Sequence, residues 1–486
     1  MASRLGISRT TLIWVVVLIV VVVVLGSLLA YYATRPTVSA VTSHEILFYT
    51  WWATTGKVAL DHLIPAFEEA YPQYKVVPYL VPGAGGTNAR YAIVALIEAG
   101  KPPTTFQTLL GATMIGYVEA SPQGVNTFVN FTPYLENEGV LNHVVLPVFL
   151  AAAYNGTIIS LPVNVHSGFV LYMNIKVLKE YNLPIPSNIS QLLYDTVVLA
   201  QHGINPWCVG GADGGYDQEQ LWFAIFLALG GPKLMDEVLY GTLNLSDPYV
   251  QQIFNETNEI FLNITSYNQP GWESMTWTQC ISLLAEGKSV FQVDVDSGTN
   301  YLYDYLNVTT YPAIEPYISW NNVTVVAEMF PGDQNYFVLV ADAIAVPHGP
   351  NEKAGILFAL YWASYAGQEV WTRWKASTYY LNGTDWYNTP EQWWMYQREL
   401  QIPNQNWVID PLSLFPDVDS EIYQGLLTLQ EIGKPALSNW YSTFTSAMAE
   451  ERAEWLKAAQ LGLGYLGFPG QPFGGYTPPW VDGSSG

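Results

Sequence analysis

The chain of 486 residues predicts an α/β fold, and three observations carry that prediction. From Glu45 to Gly100 strand-like and helix-like periods alternate, the pattern of a parallel sheet with helices on its faces. Half of the residues are apolar and 14% are aromatic, ample material for a large core. From about Asn351 to Gln460 the chain reads as mainly helical. Length alone suggests about three domains.

Taken in order, the first element is a targeting segment. Arg4 and Arg9 precede Leu12–Tyr32, an essentially uncharged run of 21 residues. At about 1.5 Å per residue it would span about 32 Å, close to the hydrocarbon thickness of a bilayer. A signal peptide's apolar region is about 7–15 residues, so residues 1–32 are expected to persist as a signal and membrane anchor. The positive-inside rule leaves the remainder outside the cell. The stretch "RLGIS" (4–8) resembles the cleavage site of archaeal pilin-like signal peptides, cut at Gly6 with the helix retained. A polar linker, 33–44, follows.

"EILFYTW" then reads as a strand and "VALDHLIPAFEEAY" as a helix, with Leu60, Leu63, Ile64, Phe67 and Tyr71 at helical spacing. "KVVPYLV" is a second strand, and "TNARYAIVALIEAG" a second helix stopped by Gly100. Trp51 and Trp52 stand side by side where the first strand ends. Neighbouring side chains of a strand point to opposite faces, so one apolar layer cannot take both rings. Ligands of parallel sheets bind beyond the carboxyl ends of the strands, which favours a cleft at this point. Residues 158–174 read as one long extended stretch with polar Asn164, His166 and Ser167 in its middle. "VFQVDVDSG" is an apolar strand ending in carboxylates, and "YFVLVADAIAVP" a strand interrupted by Asp342. The tail, 461–486, is rich in glycine, proline and aromatics and is expected to be extended.

Charge narrows the partners. Eighteen basic against 41 acidic residues leave a net charge of −23, a field that repels nucleic acid and anionic lipid headgroups. Only 12% of residues are charged, a composition suited to an acidic medium, where surface carboxylates lose their charge. N-glycosylation sequons occur at Asn130, Asn155, Asn188, Asn244, Asn255, Asn263, Asn307, Asn322 and Asn382, as expected of an exterior surface. Cys208 and Cys280 would there form one disulfide or remain two buried thiols.

The chemistry of a neutral, hydroxylated ligand matches the residue mix. Sugar C–H faces stack on indole rings, and their hydroxyls pair with Asp, Asn, Gln, His and Lys. Eighteen Trp and 33 Tyr, with polar residues set singly into apolar segments, make such a composition. No nucleophile motif, phosphate loop or metal-spaced cluster appears, so no catalytic residue, metal or cofactor is expected.

The segments "WWATTGKVALDHLIPAFEEAYPQYKV", "VPGAGGTNARYAIVALIEAGKPPTTFQ", "LPVNVH", "EQLWFAIFLALGG", "WTQCISLLAEGKSVFQV" and "AIAVPHGPNEKAGILFALYW" occur in that order. Together they resemble the extracellular family-1 solute-binding proteins of sugar ABC transporters, most nearly the glucose- and hexose-binding members in their archaeal membrane-anchored form. The resemblance implies a two-lobe, periplasmic-binding-protein-like α/β fold with a hinge and an interlobe cleft. Its lobes would comprise 45–162 with 336–372, and 163–335 with 373–460. It implies capture of a neutral monosaccharide for a permease driven by a cytoplasmic ATPase, at the outer face of the membrane. It carries over Trp51 and Trp52 as sugar-contacting rings, Gln107, His166, Asp342 and Lys375 as hydroxyl partners, and Trp277 as a cleft wall. Asn164 and Asp296 join this set on position and chemistry. Trp277 would equally suit helix packing, and Trp222 reads as core.

The chain also departs from that pattern. Ser297 stands where the hexose-binding relatives place a Trp, a face that Tyr301 or Tyr303 would have to replace. Thr54 and Thr55 stand where a glutamate often follows the Trp pair, and a late cleft histidine has no counterpart near 406–416. The alternative to a monosaccharide importer subunit is a pilin-like filament subunit self-assembling through its first helix, with an oligosaccharide-binding protein a further possibility.

Overall fold

The computed structural model describes residues 44–83, 86–154, 156–313 and 321–460. The expected anchor at 1–32, all of the linker but His44, the tail at 461–486 and the sequon at Asn155 lie outside the described residues. Among the described residues, no helix is long and apolar enough to cross a membrane.

In chain order the strands are β1 Glu45–Thr50, β2 Lys75–Leu80, β3 Thr105–Leu109, β4 Ala153–Tyr154, β5 Thr157–Ile158, β6 Ser160–Pro162 and β7 His166–Ser167. They continue as β8 Val170–Asn174, β9 Phe291–Asp294, β10 Thr310–Pro312, β11 Val325–Met329, β12 Phe337–Val340, β13 Asp342–Ala345 and β14 Trp407–Ile409. One five-stranded sheet has the order β2-β1-β3-β13-β6, and a four-stranded sheet the order β10-β11-β8-β9. A three-stranded sheet, β14-β12-β7, takes up the segments that pass between them.

The expected parallel arrangement is found for β1 with β2 and β3. Within that five-stranded sheet it stops there, because β13 runs antiparallel to both β3 and β6. β13 enters directly from β12, which belongs to the three-stranded sheet. Two stretches read as continuous strands are divided between sheets. Residues 158–174 contribute to β5, β6, β7 and β8, and residues 336–347 split into β12 and β13 at Ala341. Antiparallel pairing of β7 with β12 couples the outward and return passages of the chain.

The helix Thr55–Ala70 buries Leu60, Leu63 and Phe67, while Ile64 and Tyr71 pack half-buried beside them. Phe67 meets Phe358 and Tyr361 edge-on, so this helix and Glu352–Ala363 share one aromatic layer. Trp222, on the helix Tyr216–Leu239, is fully buried, and its indole N–H donates to Asn258 Oδ1 at 2.8 Å. It is core. Arg90, also fully buried, pairs with Asp419 at 2.7 Å and extends a second nitrogen to 3.5 Å from the Leu412 carbonyl. A disulfide joins Cys208 to Cys280 across a Cα–Cα distance of 5.2 Å, tying a glycine-rich loop to the helix Trp277–Ala285.

Candidate functional site

Residues from the five-stranded and three-stranded sheets, and from the segments that follow β1 and β9, converge on one cavity of about 300 Å³, at the lower end of the range for small-molecule sites. Its first wall begins where β1 ends. Trp52 is only 6% exposed, with its ring centroid 4.8 Å from that of Trp371 and 5.5 Å from that of Trp362. Trp51 is half-buried and its ring lies over Gly86. A Cβ at Gly86 would sit 2.8 Å from Trp51 Cδ2, and φ there is +97°, so both the close approach and the backbone favour glycine. The pair is thus split: Trp52 faces the core and edges the cavity, while Trp51 covers it.

A small apolar cluster of Leu109, Tyr216, Val295, Val340, Leu412 and Tyr423 underlies both Trp51 and Trp277. Trp277 is the first residue of its helix, capped by Thr276 and Gln279. Its backbone N–H donates to Asp213 Oδ2 at 2.7 Å. Its ring packs edge-on against Tyr301 at 5.6 Å, and Tyr301 stacks on Tyr305 at 5.0 Å. Ser297 also lines the cavity. Tyr301 therefore backs Trp277 from behind.

The polar groups form one connected network. Gln107 Oε1 accepts from the Thr50 hydroxyl and from Trp51 N–H, and its Nε2 donates to Asp342 Oδ1 at 2.6 Å. Asn164 Oδ1 accepts the Asp342 backbone N–H at 2.9 Å. His166 Nδ1 donates to Asp296 Oδ1, and Asp296 Oδ2 accepts Ser167 N–H at 3.2 Å. His166 Nε2 lies 3.4 Å from Asn164 Nδ2. Nε2 also lies 3.7 Å from Asp342 Oδ2. Such second contacts orient the groups that face the cavity.

Lys375 lies against this network, 4% exposed and lining the cavity. Burial holds its ammonium below the ordinary lysine range, while Asp342, Asp296, Asp294 and Asp304 pull in the opposite direction. Among the described residues lining the cavity, it is the only lysine or arginine. On the second wall, Tyr216 donates to Asp294 Oδ1 at 2.6 Å. Burial pushes the Asp294 carboxyl up to about 7, against the hydrogen bond from Tyr216. Seven of the nine sequence-derived site residues are fully or nearly fully buried, and only Trp51 and Trp277 are half-buried. Trp51, Trp52, His166, Trp277, Asp342 and Lys375 line the cavity, and Gln107, Asn164 and Asp296 stand behind them.

Sequence reasoning missed Asp213, Tyr216, Leu109, Val340 and Leu412, all of which line the cavity. Only Asp213 had a local signal, the "GGADGG" run that encloses it. Away from the cavity, the sequon asparagines at 130, 188, 244, 255, 263, 307, 322 and 382 are all exposed.

The bacterial extracellular solute-binding protein family matches residues 52–369. The chain is 54% identical over 443 residues to the glucose-binding protein GlcS of Saccharolobus solfataricus, covering 90% of this chain and 80% of that protein. It is 26% identical over 262 residues to an ABC transporter extracellular-binding protein of Pyrococcus horikoshii, covering 53% and 56% of the two chains. Among solved structures, a chitin oligosaccharide binding protein superposes with a TM-score of 0.68 at 16% identity, over 84% of this chain and 99% of that one. The RafE binding protein in complex with raffinose gives 0.66 at 16% identity, again over 84% and 99%. The last two show a shared two-lobe α/β fold.

Proposed function

Since this chain belongs to the bacterial extracellular solute-binding proteins, we propose that it is the binding subunit of a carbohydrate ABC importer, capturing a glucose-like hexose. The observation that carries the reading is the 54% identity to a glucose-binding protein across 90% of this chain. A cavity faced by three indoles, His166, Asp342 and Lys375, with Gln107, Asn164 and Asp296 hydrogen-bonded behind them, supports it.

In this reading Trp51 and Trp277 stack on the two faces of the pyranose ring, and Trp52 meets its edge. Asp342, His166 and Lys375 pair directly with hydroxyls. Gln107, Asn164 and Asp296 hold those three in position. A hydroxyl-bearing ring suits this lining because each hydroxyl both donates and accepts, and an unmatched buried one costs about 1–3 kcal/mol. Each lobe would carry one of the two larger sheets, with the paired strands β7 and β12 at the hinge. Sugar touching both walls favours the closed state by its extra contacts there, and the closed state is what the permease receives. The role needs no catalysis. Anchorage by residues 1–32, an extracellular location and glycans on the exposed sequons belong to the same reading.

Calorimetric titration with glucose, galactose, mannose, arabinose and maltose tests it. Saturable binding of glucose, tighter than of maltose, is the expected result. Failure of all five to bind would overturn the reading.

A further inference from the structure

Beyond the residues assigned above, the loop at 208–213 lies along the segment that leads into the helix of Trp277. Gly211 N–H donates to the Trp272 carbonyl at 2.8 Å, and Ala212 N–H to the Met275 carbonyl at 3.0 Å. A Cβ on Gly210 would stand 2.4 Å from the Met275 carbonyl oxygen, and one on Gly211 3.0 Å from Glu273 Cα. Glycine is what lets two backbones approach this closely. The disulfide from Cys208 to Cys280 closes the far end of the same clasp.

Asp213 sits at the tip. One carboxylate oxygen accepts the Trp277 N–H at 2.7 Å, and the residue lines the cavity. Among the described residues, its other oxygen accepts no hydrogen bond. The position is electrostatically unfavourable: burial raises the Asp213 carboxyl itself, and its charge adds to the burial that raises those of Asp217 and Asp294. An asparagine would hold the Trp277 amide equally well without that repulsion. What the carboxylate adds is a second strong acceptor on the cavity side. A lining with two carboxylates, Asp213 and Asp342, and one ammonium fits a guest that brings O–H donors and disfavours an anionic one.

We infer that Asp213 accepts a hydroxyl of the sugar through its second carboxylate oxygen, and that the clasp presents Asp213 and Trp277 to the ligand as one rigid unit. The inference rests on the sugar-binding reading above. Asp342 begins β13 in the five-stranded sheet, whereas Asp213 is fastened to the segment beside β9 of the four-stranded one. The two carboxylates therefore meet different hydroxyls of the ring. Specificity among hexose epimers follows from the requirement that both hydroxyls point correctly.

The test compares the wild-type protein with Asp213→Asn and Asp213→Ala, titrated with D-glucose and its singly deoxyfluorinated analogues. Fluorine removes one donor at a time while keeping a small group in place. The asparagine variant retains an oxygen for the Trp277 amide and relieves the repulsion, so its melting temperature should equal or exceed that of the wild type. Its glucose affinity should fall about 10- to 100-fold, the size expected for a charge-assisted hydrogen bond. One fluoro analogue that binds poorly to the wild type should lose its penalty in Asp213→Asn and in Asp213→Ala, with the other penalties unchanged. Equal loss for every analogue with all penalties preserved, or no loss at all, overturns the inference and leaves the sugar reading intact. A wild-type protein that binds glucose in none of these titrations would fell both together.

Discussion

Replacing Trp51 and Trp52 one at a time by alanine should separate ligand binding from folding within two consecutive residues. Trp52 is 6% exposed and wedged among Trp371, Trp362 and Gly56, whose own Cβ position would overlap the indole. Deleting its ring empties a core site that neighbouring indoles cannot fill, a loss of about 3–5 kcal/mol. With an unfolding entropy of about 2 cal/mol/K per residue, a protein of this size should then melt about 4 °C lower. Trp51 is half-buried, and one ring face is covered by the backbone at Gly86 while the cavity lies beyond it. Its removal should cost about 1 kcal/mol of stability, but about 2 kcal/mol of binding, as for an aromatic anchor at the centre of an interface. That corresponds to a glucose dissociation constant raised about 30-fold. Calorimetric titration and differential scanning calorimetry on both variants make the comparison. The reasoning is wrong if Trp51→Ala melts as low as Trp52→Ala while its glucose affinity stays at the wild-type value.

Two further outcomes follow from the core. Burial pushes Asp410 and Asp236 up to about 7 and Asp419 up to about 6, whereas in the unfolded chain such carboxyls titrate near 4. Between those values the folded protein binds more protons than the unfolded chain, so stability falls as pH rises. The protein should therefore melt at a higher temperature at pH 4.5 than at pH 7.5; a melting point that climbs steadily from 4.5 to 7.5 would contradict this. Separately, the Cys208–Cys280 disulfide bridges a sequence separation of 72, and in the chain-entropy account its loss should cost about 4 kcal/mol. The Cys208→Ser/Cys280→Ser double variant should unfold at lower denaturant than the wild type, and coincident curves would show the bridge to be dispensable.

Much of the site was legible because buried polar groups stand out against apolar neighbours. Asp342 interrupts "YFVLVADAIAVP", and His166 interrupts 158–174; each proved to be part of the hydrogen-bonded network at the passage between sheets. Lys375 was named through the family pattern, since a lysine in "WKAST" carries no local sign of burial. Tyr216 and Leu412 were not legible. One opens a helix and the other sits in a short turn, and neither local pattern distinguishes a cavity wall from ordinary packing.

The amino-acid sequence alone determined the local periods, the placement of two indoles at a strand end, and the polar interruptions that a buried site requires. These are properties of neighbours along the chain, fixed by side-chain period and by the cost of burying an unpaired polar group. The tertiary structure alone decided which indole faces the cavity, how 158–174 and 336–347 divide among sheets, and that Asp213 meets Trp277. Those outcomes depend on contacts between residues dozens to hundreds of positions apart, such as Trp52 on Trp371 and Gln107 on Asp342. Periodicity records which face of an element is apolar, but only the packed chain determines what that face meets.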